Sequence, residues 1–149
     1  MTLGDGVQSV DSARLAEALA RGVDAARTDP LTILVQVNTT CEEAKAGVPL
    51  ARVVDETAAI ARAGGGALRI DGLMTIGPTP ATGEEPDERA SRDAFASLCR
   101  AAEAVRGAGL EGVVMRELSM GMTGDLEWAI AEGATLVRVG TALFGPRRG

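Results

Sequence analysis

The sequence has no histidine and no tyrosine, and its 149 residues include a single lysine, Lys45. Without imidazole, Ser–His and Cys–His nucleophilic sites are excluded and zinc sites of the usual kinds lose their ligands. General acid or base work then falls to Asp, Glu, Cys or Lys45. The two cysteines, Cys41 and Cys99, lie far apart with neither CxxC nor metal-type spacing, a pattern that reads as free thiols in a reducing compartment. No basic cluster is present, and the net charge of -6 with a pI near 4.7 disfavours nucleic acid as a partner. No apolar run reaches eighteen residues, and the start MTLGDGVQSV lacks the regions of a signal peptide. The expectation is a cytoplasmic protein with no membrane partner.

What is present is a chain that is 46% hydrophobic and long enough for one domain, residues 1–149. Short apolar runs alternate with amphipathic stretches. VQSV leads into DSARLAEALARGVDAA, where Leu15, Ala18, Leu19 and Val23 repeat at helical spacing behind a cap at Asp11 or Ser12. LTILVQVN reads as a strand buried on both faces, followed by a helix over PLARVVDETAAIARAG that stops at Gly64–Gly66. ALRIDGLMTI is the next strand; after the loop GPTPATGEEP a long helix runs from about Asp87 to Arg106. VVMRELSM and TLVRVG, joined by the short helix GDLEWAIAEG, complete five strands in alternation with four helices. Such alternation predicts parallel β/α units with right-handed crossovers. The chain is too short for eight of them, so the expected fold is the carboxyl-terminal five strands of a TIM-type (β/α)8 barrel, with an open doubly wound sheet as the alternative.

The run TLVRVGTALFG places a cation, Arg138, in the middle of an otherwise apolar strand, and a buried charge is expensive unless an anion meets it. Just upstream, Ser119-Met120-Gly121-Met122-Thr123-Gly124 follows a strand end. Its glycines let backbone N–H groups approach a ligand, and Thr123 is placed to cap a helix whose buried face is Leu126, Ala129 and Ile130. Arg138, Gly140 and Thr141 add a cation, bare backbone and a hydroxyl. In barrels the loops after the last two strands commonly form a phosphate site, which would make phosphate the anion. From spacing alone, an ion pair of Arg138 with Glu117 or Asp125 remains an equally good explanation.

SVDS at Ser9 to Ser12, ILVQVN at Ile33 to Asn38 with CEEAKAGVP after it, GLM at Gly72 to Met74, LSMGMTGDLEWAIAEG and VRVGTALFG occur in one order that resembles the pyridoxal phosphate (PLP) homeostasis proteins of the YggS/PROSC type. The resemblance implies a barrel like the amino-terminal domain of alanine racemase and a PLP-binding function without a committed turnover reaction. It also implies a phosphate site at Ser119, Gly121, Met122, Thr123, Arg138, Gly140 and Thr141, with Thr123 standing where the family usually has serine. Expected ligands are PLP or free phosphate or sulfate. The chain resembles the family from its fourth strand onward, so the family's PLP-linking lysine, which lies on the first strand, has no counterpart. Lys45 matches instead the lysine of the loop after the fifth strand and reads as a solvated charge, not a substitute amine.

No residue is expected to be catalytic and no metal site is expected. A fragment of a racemase-like enzyme is an alternative, but that chemistry needs the first-strand lysine and usually an opposing tyrosine. A truncated or internally started chain without function is another. Trp128, Cys41 and the trio Met74, Met120 and Met122 read as packing or bystander residues. Five strands of a barrel leave two unpaired edges, and self-association or pairing with a missing amino-terminal half is the expected response.

Overall fold

The structure, a computed structural model, describes residues 6–23, 27–40, 42, 45–80 and 84–145. Four strands, β1 (Gly6–Val10), β2 (Leu31–Asn38), β4 (Leu68–Met74) and β5 (Val113–Ser119), form a parallel sheet in the order β1-β2-β4-β5. A two-residue strand, β3 (Val48–Pro49), pairs with the carboxyl end of β2. Between these lie α1 (Ala13–Gly22), α2 (Val53–Gly64) and α3 (Glu88–Gly107), followed by two short helices, α4 (Leu126–Ala131) and α5 (Thr141–Phe144).

The helices start and stop where local chemistry dictates. Ser12 Oγ accepts the Leu15 N–H (3.4 Å) at the head of α1, and Asp87 Oδ1 accepts the Ala90 N–H (3.1 Å) at the head of α3. At its other end α2 stops at Gly65, whose φ of 51° suits a residue without a Cβ. Packed between the helices and one face of the sheet are Ile33, Val35 and Val37 of β2, Ile70 of β4, Ile60 of α2, and Phe95 and Leu98 of α3. Burying this apolar surface is what holds the layers together.

Two observations favour a partial barrel over a doubly wound sheet. Neighbouring helices pack on one another in chain order, α1 on α2, α2 on α3 and α3 on α4, as in an outer ring on one side of the sheet. In addition, Ser119 of β5 donates a hydrogen bond to Gln8 of β1 (2.7 Å), although two strands lie between them. In a flat sheet three strand spacings amount to about 14 Å, too far for a serine and a glutamine standing upright. The sheet is therefore strongly curved and its concave face is the polar one. On that face Arg69 pairs with Asp71 (2.7 Å) and donates to Thr32 (3.1 Å). The sheet is not closed.

The structure corrects the sequence expectation in three places. Residues 135–139 do not form a ladder strand; backbone bonds from Thr135 and Leu136 to Leu118 O, from Met120 to Leu136 O and from Arg138 to Gly121 O hold them beside β5, with one bridge, Ser119 to Leu136. Leu136, Val137 and Val139 are 37%, 38% and 37% exposed, because among the described residues no strand flanks them on the outer side. The helix after β5 is shorter than GDLEWAIAEG and its N-cap is Asp125, not Thr123. Of its expected buried face only Ala129 is buried; Leu126 is half-buried and Ile130 is exposed. Among the described residues no helix is long and apolar enough to cross a membrane.

Candidate functional site

The carboxyl ends of the strands are riveted to one another. Thr75, just after β4, donates its hydroxyl to Val37 O (2.8 Å), lies 2.8 Å from the Thr39 hydroxyl, and donates its N–H to Ser119 O (3.0 Å). All four residues are buried, so bonds shielded from water join the ends of β2, β4 and β5. Onto this platform comes Arg138. Its Nη1 donates to Ser119 Oγ (2.8 Å) and its Nη2 to Thr75 O (2.8 Å), while its own N–H donates to Gly121 O (3.1 Å). Ser119 Oγ accepts from the arginine and donates its own hydrogen bond to Gln8 Oε1, so Gln8, Ser119, Arg138 and Thr75 form one continuous polar line.

Every acceptor on Arg138 in that line is neutral. Among the described residues no carboxylate forms an ion pair with it. Glu117, one candidate counterion, instead accepts the Thr135 hydroxyl (2.5 Å). Asp125, the other, accepts the Met122 N–H through Oδ1 (2.6 Å) and touches Arg138 only through space. Burial pushes the guanidinium pKa down, with Asp125 partly opposing that shift. An arginine stays charged regardless, so what this records is a desolvated cation without a full counterion.

The structure places the other sequence-predicted residues around the same spot. Gly121 is buried with φ of 89°, and a Cβ there would lie 2.4 Å from Ala129 Cβ, so only glycine fits the turn. The amides of Gly121 and Gly140 donate to no protein acceptor among the described residues, and a Cβ on Gly140 would meet nothing within 4 Å. Met122, Thr123 and Gly124 are exposed, and together with Asp125, Gly140 and Ile76 they border a cleft of about 510 Å³. Thr141 opens α5. A cation and two glycine amides are donors of the kind a phosphate group takes, so these residues fit one.

Sequence reasoning missed Gln8 and Thr75, for a physical reason. Neither sits in a glycine-rich or charged motif, and only the curvature of the sheet brings Gln8 to the far strand. Lys45 also differs from expectation. It is not a solvated charge: its side chain is 18% exposed, and Nζ donates to Gly77 O (2.8 Å) and pairs with Glu42 (2.9 Å). Asn38 Nδ2 donates to the carbonyls of Glu42 (2.9 Å) and Lys45 (3.3 Å), and Gln36 Nε2 to that of Ala46 (3.0 Å), so Lys45 clasps the loop after β2 to the loop after β4. Met74 and Met120 are buried, Met122 is not, and Trp128 packs half-buried against the core. Cys41 lies outside the described residues; Cys99 is a free thiol donating to Glu132 O (3.1 Å). Among the described residues no cluster of His, Cys, Asp and Glu could hold a metal ion.

Compared with known proteins, residues 4–148 match the family described as the alanine racemase N-terminal domain. The chain belongs to that family. Its relatives include the pyridoxal phosphate homeostasis protein of Escherichia coli (strain K12), 36% identical over 143 residues, a match covering 96% of this chain and 56% of that protein. The protein of the same description from Pseudomonas aeruginosa is 39% identical over 141 residues, covering 95% and 55%. Among solved structures, PipY of Synechococcus elongatus with PLP bound has a TM-score of 0.75 at 33% identity, over 95% of this chain and 61% of that one. Alanine racemase from Bacillus anthracis, at 14% identity and a TM-score of 0.61, shares the fold. The chain thus spans a little over half the length of the homeostasis proteins it matches.

Proposed function

We propose that this chain, acting as one domain over residues 1–149, binds PLP by its phosphate group and carries the cofactor without turning over a substrate. The observation that carries this reading is Arg138, a half-buried cation held by neutral oxygens beside a hydroxyl and two uncommitted glycine amides. The names of the homeostasis relatives and the PLP bound in PipY support PLP as the phosphate's owner. When bound, PLP would bring an aldehyde that reacts with amines. Arg138 and the backbone amides of Gly121 and Gly140, with Ser119, Met122, Thr123 and Thr141 around them, would neutralise and orient the phosphate; free phosphate or sulfate would compete there. No residue of the chain is assigned a catalytic role. Lys45 is committed to Gly77 and Glu42, which supports a reversible and non-covalent mode of binding. The free Cys99 thiol and the acidic charge suit a cytoplasmic carrier.

The experiment is a titration of the purified chain with PLP and with inorganic phosphate, repeated on Arg138→Ala. Hydrogen bonds to a charged group contribute about 1.5–3 kcal/mol, so the variant should bind either ligand at least about tenfold more weakly. Equal affinity in the two proteins would end the assignment. The open sheet edges at β1 and residues 135–139 further support association with a second chain, either another copy or a polypeptide supplying the remainder of a barrel.

A further inference from the structure

Among the described residues Asp125 is a buried carboxylate that borders the cleft beside the proposed phosphate cup, where a carboxylate cannot serve as a ligand to an anion. It is 9% exposed. As the N-cap of α4 it would be expected to point forward, but it makes no side-chain cap bond to that helix. Its Oδ1 turns back to take the Met122 N–H (2.6 Å), while its own N–H donates to Met122 O (3.2 Å), closing the turn in both directions. Oδ2 lies against the next loop, 2.9 Å from where a Cβ on Gly77 would be. Asp125, Met122 and Gly140 border the same cleft, and Asp125 is the carboxylate whose charge acts on Arg138.

We infer that Asp125 is a positioning residue that sets the anion affinity of the cup in two opposed ways. Its oxygen holds the turn at 122–125 in shape, and its charge balances Arg138 in the free protein while repelling the incoming phosphate. The inference rests on the phosphate reading above and deepens it. A carboxylate that only held the turn could be replaced by any acceptor of the same shape without effect on binding. A carboxylate that also opposes the ligand would, when neutralised, give tighter binding than the native protein has.

The test uses the full chain and inorganic phosphate as the probe, with calorimetric titration at fixed ionic strength. Asp125→Asn keeps an acceptor oxygen for the Met122 N–H and removes the charge, so phosphate should bind roughly fivefold more tightly, a modest effect expected for a charge near but not touching the ligand. The gain should shrink as salt is raised, which a purely structural role would not produce. In the ligand-free protein, Asp125→Asn should lower the melting temperature more when Arg138 is present than in an Arg138→Ala background. Equal or weaker binding by a folded Asp125→Asn overturns the inference. Should that variant not fold, Asp125→Ser, which also offers a short-reach acceptor, is read in the same way; failure of both to fold would make Asp125 a determinant of the fold and overturn it too. A native chain that binds no phosphate at all would instead refute the phosphate site itself.

Discussion

Gly72 in β4 faces Glu117 of β5 at the place where the register between the two strands shifts. The cause is in β5, where Met115 adopts a φ of 58° and its carbonyl is held by Arg106 Nη2 (2.8 Å), a bulge that pushes the β5 backbone toward β4. A Cβ added at Gly72 would lie 1.8 Å from Glu117 O, and that atom is backbone, so it cannot swing aside as a side chain would. To regain ordinary contact at 3.4 Å the strands must part by about 1.6 Å, which stretches ladder bonds of about 2.9 Å beyond any hydrogen-bond limit. Two lost bonds at about 1 kcal/mol each, with about 1–3 kcal/mol of overpacking, place Gly72→Ala about 3–5 kcal/mol below the native protein. For a chain of this size that is a fall in Tm of about 10 °C. The assay is urea and thermal unfolding followed by circular dichroism, with Gly107→Ala as control, since a Cβ there meets nothing within 4 Å. Because Ser119 follows Glu117 by two residues on the same strand, phosphate affinity should fall along with stability. A Gly72→Ala protein within about 1 kcal/mol of native stability would refute the close approach, and the register drawn from it.

PLP mixed with the chain and reduced with borohydride should leave no stoichiometric adduct by mass spectrometry, because the Lys45 amine is held by Gly77 and Glu42; a single adduct mapped to Lys45 would refute that. Cys99 should alkylate more slowly than a free thiol near neutral pH, since burial raises its pKa and the reactive thiolate forms only at higher pH; a rate equal to that of a model thiol at the same pH would contradict its placement. Light scattering at micromolar concentration should detect association through the open edges, and a strictly monomeric species with a cooperative melt would argue that the sheet protects those edges unaided.

How much of this was legible beforehand follows from what each element depends on. β2, β4, β5, α2 and α3 were readable because their apolar spacing, caps and glycine stops are local, and each faces one continuous core. Residues 135–139 were misread because Leu136, Val137 and Val139 have strand composition, whereas a ladder strand also needs partners. Backbone bonds to Leu118, Met120 and Gly121 on one side, making a single bridge, are what the described residues give them, and no strand lies on the other side. The N-cap was displaced from Thr123 to Asp125 for a comparable reason. Both residue types can cap, and what decided between them was the demand of Met122 for an acceptor, which depends on the loop's path and not on spacing.

The arginine in the run TLVRVG can now be given a physical reason. In a segment beside β5 with solvent on its other side, an apolar residue at position 138 would have packed no worse, and Val137 and Val139 show that exposure is tolerated there. What an apolar residue could not do is reach over the end of β5 to Thr75 and Ser119 and tie the loose segment to the riveted strand ends. Ser119 passes that tie on to Gln8, so one guanidinium, one hydroxyl and one amide connect the last segment of the chain to the first strand across the concave face. The same line that closes the curve of the sheet thus leaves a desolvated cation at its carboxyl end with only neutral acceptors. The line that curves the sheet and the proposed phosphate site share Arg138 and Ser119. Ser119→Ala should therefore disturb sheet curvature and anion affinity together, and not either one alone.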